Sequence, residues 1–328
     1  MAKVLITGAT GLLGYNTALE FCRQGSDVRV LVRSNTELAV LKSLFCEIYY
    51  GSIENGDDVS TAVTGCDYVI HAASLTAQWG IDKEQYETVN IKGTENVIRA
   101  CLNNNIKKLV YISTANTIAP GSIQNPGTEL NSFTLFKVNS PYINTKYIAQ
   151  QKVLEAVVEK QLPAVVLNPT FMIGPFDFKP SSGRIFKFAS GAVVFYPPGG
   201  KNFVYVKDVS KAIMAACTAP VSGECLLVAG ENMSYRHFFK MTNMIRKQKS
   251  LMIRIPAFLL KAAGFMGTVL GWMLNKRLKL NYSSAKLLCM DNYYSGTKAK
   301  DQLGIAYTPV AKAVTDALAW FETENKID

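Results

Sequence analysis

The stretch that most constrains this chain is KVLITGATGLLGYN, residues 3–16, in which three glycines stand between an apolar run and the start of a helical pattern. KVLIT reads as a short buried strand, and helical spacing continues to about Arg23. Gly8 permits a tight turn, Gly11 lets a pyrophosphate approach the backbone, and Gly14 allows the helix to pack closely on the strand. A glycine triplet alone means little. The strand before it and the helix after it are the context that a dinucleotide-binding turn requires. The expected cofactor contacts here are Gly8, Thr10, Gly11, Leu12, Leu13 and Gly14.

Further apolar runs follow at DVRVLVR (27–33), DYVIHAA (67–73), KLVYIST (108–114) and PAVVLNP (163–169). Helical stretches lie between them: one ending near Leu44, one from about Lys83 to Asn104, and one over 140–160. Nearly continuous apolar strands alternating with helices predict an α/β fold, a doubly wound parallel sheet covered on both faces. Beyond Gly174 the alternation breaks, and FDFKPSSG and YPPGGKN read as loops. The expected division is a dinucleotide-binding domain over 1–174. Residues 175–328 should form mainly a smaller, irregular α/β substrate lobe, with 203–230 returning to the first domain.

Composition limits the classes of function. At 328 residues with 48% hydrophobic and 18% charged, the chain has ample core for a globular enzyme. Its seven cysteines, at 22, 46, 66, 101, 217, 225 and 289, contain no C-x-x-C, which predicts free thiols in a reducing compartment. His71 and His237 are the only histidines, so no metal site is expected. The N-terminus enters an apolar strand without a signal pattern, and a cytoplasmic location is expected. The net charge of +10 is uneven, with fourteen Lys/Arg and two acids between Arg236 and Lys312. That imbalance implies an anionic partner, either a partly anionic substrate or a membrane surface. No nucleic-acid-binding motif accompanies it.

An acid at the end of the second strand would bind the ribose 2′-hydroxyl of NAD. That place holds Arg33, whose guanidinium suits a 2′-phosphate, so NADP(H) is favoured over NAD(H).

In SPYINTKYIAQQKVLEA, residues 140–156, Tyr142 and Lys146 lie one turn apart on one helix face. A free phenol titrates near ~10, too high for a base at neutral pH, and an adjacent ammonium favours phenolate. Tyr142 is therefore a candidate to exchange a proton with an alcohol or ketone, with Lys146 supporting it.

With its G-x-x-G-x-x-G spacing and Y-x-x-x-K pair, the chain resembles the extended branch of the short-chain dehydrogenase/reductase superfamily. The resemblance implies a Rossmann fold and a catalytic set of Tyr142, Lys146 and Thr114. Lys146 would also hold the nicotinamide ribose, and Ser113 would be the cofactor-side neighbour of Thr114. HAAS resembles the cofactor-lining loop after strand four (Ala72, Ala73, Ser74), and VNIKGTENVIRAC the asparagine-containing helix, with Asn90 as the match. LNPTFMIGP resembles the turn that meets the nicotinamide (Asn168, Pro169, Phe171). In GSIEN relatives commonly carry an acid after the glycine; here Ser52 and Ile53 take the adenine side, which weakens that recognition. A dimer through the helices near 84–104 and 140–160 is likewise implied only by the resemblance.

Within the superfamily, NPTFMIGPFDFKPSSGRIF and YSGTKAKDQLG look most like the dihydroflavonol-4-reductase and 3β-hydroxysteroid dehydrogenase group, which also clusters with hopanoid-associated sugar epimerase-like proteins. No acid follows Thr114 as in dehydratases, and Lys201-Asn202 stands where nucleotide-sugar enzymes often carry arginine. The expected reaction is ketone/alcohol oxidoreduction on an apolar small molecule; the alternative is nucleotide-sugar epimerisation or dehydration.

The expected substrate walls are Thr76, Trp79, Phe178, Phe186 and Tyr196. The run IPAFLLKAAGFMGTVLGWML, residues 255–274, carries one charge. Its spacing predicts an amphipathic helix whose bulky face, from Phe258 and Leu259 to Met273 and Leu274, packs over the substrate lobe. Peripheral membrane contact through 251–279, aided by Lys276, Arg277 and Lys279, is the second reading.

Overall fold

The computed structural model describes residues 1–34, 40–77, 81–179, 181–274 and 278–324. Strand β1 (Lys3–Thr7) leads through the glycine turn into α1 (Leu12–Arg23), followed by β2 (Asp27–Val32), β3 (Glu47–Tyr50), α2 (Gly56–Val63) and β4 (Tyr68–His71). Then come α3 (Lys83–Tyr86), a π-helical turn over Glu87–Lys92, α4 (Gly93–Asn103), β5 (Lys108–Ile112), α5 (Pro141–Lys160) and β6 (Ala164–Pro169). The rest comprises β7 (Phe171–Ile173), α6 (Ile185–Phe188), β8 (Val193–Tyr196), β9 (Gly200–Tyr205), α7 (Val206–Thr218), β10 (Cys225–Val228) and β11 (Glu231–Ser234). It continues with α8 (Tyr235–Ile245), β12 (Leu251–Arg254), α9 (Ala257–Met273), α10 (Tyr282–Leu288), β13 (Asp291–Asn292), α11 (Thr297–Leu303) and α12 (Val310–Thr323).

The main sheet has seven parallel strands in the order β10-β6-β5-β4-β1-β2-β3. Its strands are apolar on both faces because both are covered. Val4 and Ile6 pack into the layer of α1 and α7, while Leu5 between them packs into that of α2, α4 and α5. Each such side chain contributes about 1.5–3 kcal/mol by leaving water. The chain runs outward from β1 to β3 and restarts on β1's other side with β4. The switch point therefore lies between β1 and β4, where such sheets bind ligands.

β10 returns to the edge of this sheet, and α7 packs against α1, where the Thr17 and Ser210 hydroxyls meet at 3.3 Å. The smaller elements form a second sheet of β11, β9, β13 and β7, and a parallel pair, β8 and β12. Asp208, within FVYVKDVSKA, accepts hydrogen bonds from the Thr308 backbone N–H at 2.6 Å and its hydroxyl at 2.9 Å, which moors the C-terminal segment.

Three sequence expectations change. Of the helical stretch ending near Leu44, residues 35–39 lie outside the described residues, and Val40–Leu44 form a turn rather than a helix. β3 carries no apolar run that would announce it. The largest change concerns α9, whose orientation is the reverse of the one expected. Its buried positions are Leu260, Gly264 and Gly271, while Phe258, Phe265, Met266 and Met273 face outward. The reason is close packing. A Cβ at Gly264 would lie 2.5 Å from the Ala285 Cβ, and one at Gly267 would lie 2.0 Å from the Leu280 carbonyl oxygen. The small residues let α9 settle directly on α10, and the bulky face is left outside.

Candidate active site

The glycine turn sits at the switch point. Gly8 has φ +77° and lies so close to the loop after β4 that a Cβ would come within 2.7 Å of the Ala73 nitrogen. A Cβ on Gly14 would fall 2.1 Å from the Gly8 carbonyl oxygen. Gly11, the N-cap of α1, provides no side-chain cap, and a Cβ there would meet only the Gly8 carbonyl, at 3.5 Å. The first-turn N–H groups, in the stretch of Leu12 and Leu13, are thus kept clear of protein side chains, the arrangement that accepts a pyrophosphate. Arg33 is exposed just beyond β2.

At the adenine end, Ser52 N–H donates to the Asp58 carboxylate at 2.9 Å, and its hydroxyl accepts from Glu54 N–H at 3.2 Å. Asp58, on α2, therefore braces the loop where the sequence has no acid after the glycine. Ile53 packs on Gly93, whose Cβ would lie 2.8 Å from its Cδ1.

Asn90 stands in the π-helical turn, a local irregularity often found at functional sites. Its oxygen accepts from Ser74 Oγ at 3.0 Å and Leu75 N at 2.7 Å, and its amide donates to Leu75 O at 3.3 Å and Thr145 Oγ1 at 3.0 Å. All of its hydrogen-bonding positions are taken. Asn90 ties the loop of Ala72, Ala73 and Ser74 to α5, so it acts on that loop by positioning it. Beneath the loop, buried His71 bridges Thr7 at 2.8 Å and Thr94 at 3.1 Å, and burial pushes its imidazole down to about 3.

α5 carries the candidate reaction centre. Ser140 caps it, accepting from Ile143 N–H at 3.5 Å, and Pro141 opens it. Tyr142 is half-buried, and the Thr114 side chain lies near enough to its phenol to favour phenolate. Lys146 is buried, donates to the Ile112 carbonyl at 2.6 Å and stands 4.3 Å over the Tyr111 ring. Burial pushes the phenol up to about 12, opposed by the nearby Thr114 side chain, and pushes the Lys146 ammonium down to about 7. Both shifts favour the uncharged forms, so a further positive charge beside Tyr142 is what would draw it toward phenolate. A nicotinamide cation has that charge, and Lys146 has donor positions beyond the one given to Ile112. The residues fit the dinucleotide.

Thr114 and Ser113 are distinguished by geometry. Ser113 is buried, and its hydroxyl has no hydrogen-bond partner among the described residues, whereas Thr114 faces the phenol. Asn168, expected from the sequence on the nicotinamide side, and Gln150, which was not foreseen, hold Thr114 in place. Asn168 donates to the Thr114 carbonyl at 3.1 Å, to Thr117 Oγ1 at 2.9 Å and to Gln150 Oε1 at 2.8 Å. Gln150 lies one helical turn beyond Lys146, so Tyr142, Lys146 and Gln150 share a face, and that spacing was the available signal.

The walls beside Tyr142 also differ from those expected. Leu135, Val138 and Ile143 form a small apolar cluster with Phe133, Tyr142, Leu287 and Met290 packed on it. Phe186 is fully buried between Phe238 and Phe321, a core side chain rather than a substrate wall, whereas Phe178 is partly buried and packs on Tyr15 and Trp320. Tyr196 packs against the same large core. Thr76 is exposed, and Trp79 lies outside the described residues. Pro169 ends β6 in the core; Phe171 follows, with Lys201 5.2 Å over its ring. Among the described residues no cluster of His, Cys, Asp or Glu has the makings of a metal site.

The sequence pattern of the NAD dependent epimerase/dehydratase family matches residues 4–230, from β1 to the end of the returning strand. The chain belongs to that family. It is an enzyme of the extended short-chain dehydrogenase/reductase type, and its cofactor is a nicotinamide dinucleotide. Among its relatives, sterol demethylase protein B of Methylococcus capsulatus is 27% identical, covering 98% of this chain and 99% of that one. A 3-beta-hydroxysteroid dehydrogenase of Mycolicibacterium neoaurum is 25% identical over 98% of this chain and 92% of its own. The crystal structure of gox2253 superposes with a TM-score of 0.89 at 29% identity, over the full length of both chains.

Proposed function

We propose that the protein is an NADP(H)-dependent oxidoreductase that interconverts a ketone and a secondary alcohol on an apolar small molecule. When bound, the nicotinamide gives or accepts the hydride. Tyr142 donates the balancing proton to the ketone oxygen or removes it from the alcohol. Thr114 holds that oxygen near the phenol, Lys146 orients the nicotinamide ribose, and the charge of the oxidised nicotinamide would favour phenolate. Asn168, Gln150 and Asn90 position these groups.

The observation that carries the reading is the setting of Tyr142, packed on the apolar cluster of Leu135, Val138 and Ile143, with the Thr114 side chain near its phenol. A carbonyl on a hydrophobic framework suits that setting. The relatives named for sterols and steroids support the same substrate class.

Nucleotide-sugar epimerisation is the second reading, kept for one observation. Lys201 is a cation that burial pushes down to about 8, on the strand after the YPPGG loop, where a diphosphate would find a partner. A panel of steroid and other apolar ketones, flavonoids and nucleotide sugars, followed by NADPH absorbance, separates the two. NADPH consumption with an apolar ketone supports the proposal. Epimerised nucleotide sugar without net cofactor change overturns it.

A further inference from the structure

The bulky side of α9 is covered by nothing among the described residues. Phe258, Met266 and Met273 are each 70% exposed, and Trp272 is 84% exposed. The adjoining β8–β12 pair shows the same pattern. The register places Val193 opposite Leu251 and Phe195 opposite Ile253, and all four side chains are exposed. β12 runs into α9 through Ile255 and Pro256, so both apolar surfaces belong to one segment. Contiguous exposed apolar surface of this kind marks an interaction site.

Charge identifies the partner. From Asn232 to Met290 the sequence holds eleven Lys/Arg and no Asp or Glu. Lys247, Lys249, Arg254 and Lys261 are exposed within that span. A second copy would oppose like charges across its own surface, whereas bulky apolar side chains amid lysine and arginine fit the interface of an anionic bilayer. No helix among the described residues is long and apolar enough to cross a membrane, so α9 would lie in the interface. The face is linked to the candidate site: α9 packs on α10, and Leu287 of α10 packs on the same apolar cluster as Tyr142.

We propose that α9 and the β8–β12 pair dock the protein reversibly on an anionic lipid bilayer, with the outer face of α9 entering the headgroup region. The inference does not depend on the reaction assigned above. It is tested by co-sedimenting the full chain with vesicles of phosphatidylcholine, alone or mixed with phosphatidylglycerol. The expected result is binding to the mixed vesicles that high salt weakens. Phe265→Ser, Met266→Ser and Trp272→Ser together should lower it at least tenfold, with melting temperature and NADPH affinity unchanged. If that variant melts early, Lys247→Glu with Lys261→Glu should lower binding in its place. Absence of wild-type binding, or equal binding by the variants, overturns the proposal. So does a lipid-free dimer, seen by sedimentation velocity, that the apolar substitutions dissociate, because the face is then an interface between copies.

Discussion

Lys146 is fastened to the end of β5 from two sides, its ammonium donating to the Ile112 carbonyl at 2.6 Å and resting 4.3 Å over the Tyr111 ring. The same strand end leads two residues later to Thr114, whose side chain lies near the phenol of Tyr142, one turn before Lys146 on α5. A strand end and a helix face thus set the phenol proposed to exchange the proton.

Tyr142→Phe keeps the ring and its packing on the cluster of Leu135, Val138 and Ile143. Turnover should fall by roughly two to four orders of magnitude, with cofactor affinity unchanged. Thr114→Ala should lower turnover by about tenfold, the worth of one hydrogen bond of about 1.4 kcal/mol. Ser113→Ala removes an unpartnered hydroxyl and should leave turnover nearly intact. Steady-state kinetics beside cofactor titration checks all three; near-native turnover of Tyr142→Phe would refute the mechanism.

NADPH should bind more tightly than NADH, because Arg33 stands beyond β2 where an acid would select NAD. Arg33→Asp should abolish or reverse the preference. Fluorescence titration of both cofactors decides this, and equal affinities in the native protein count against it.

His71 gives a pH dependence. Its folded value, about 3, lies below the ~6.5 of the unfolded chain. Below pH ~6.5 the unfolded state therefore binds a proton that the folded state does not. This residue's contribution is intact above that pH and is lost as pH falls toward 3, by about 1.4 kcal/mol per pH unit. Denaturant unfolding at several acid pH values should show that slope, and His71→Gln should reduce it. Parallel profiles for the two proteins would contradict it.

The α9–α10 contact should be intolerant of bulk. A Cβ at Gly267 would lie 2.0 Å from a backbone oxygen that no side-chain rotation relieves. Gly267→Ala should destabilise by about 1–3 kcal/mol despite alanine's better helix propensity. Phe265→Ala, on the exposed side, should cost far less. Thermal melts compare the two directly.

What the sequence determined by itself was local or periodic. The glycine turn requires a strand before it and a helix after it, and its φ and close-packing demands leave few residue types possible. The apolar strands fix a parallel sheet because both of its faces must be buried. Tyr142 and Lys146 are four residues apart on one helix, so their proximity follows from helical geometry alone. What only the tertiary structure decided depends on which surfaces meet. Asn168 reaches Thr114 and Gln150 across 54 and 18 residues of chain, a closeness that no local pattern encodes. Phe186 has the composition of a substrate wall, but α8 and α12 enclose it in the core. α9 shows the principle most plainly. Its spacing correctly marks two faces, one bulky and one small, but burial is settled by the partner. α10 approaches closely enough to need glycine, so the small face packs inward and the bulky face remains outside.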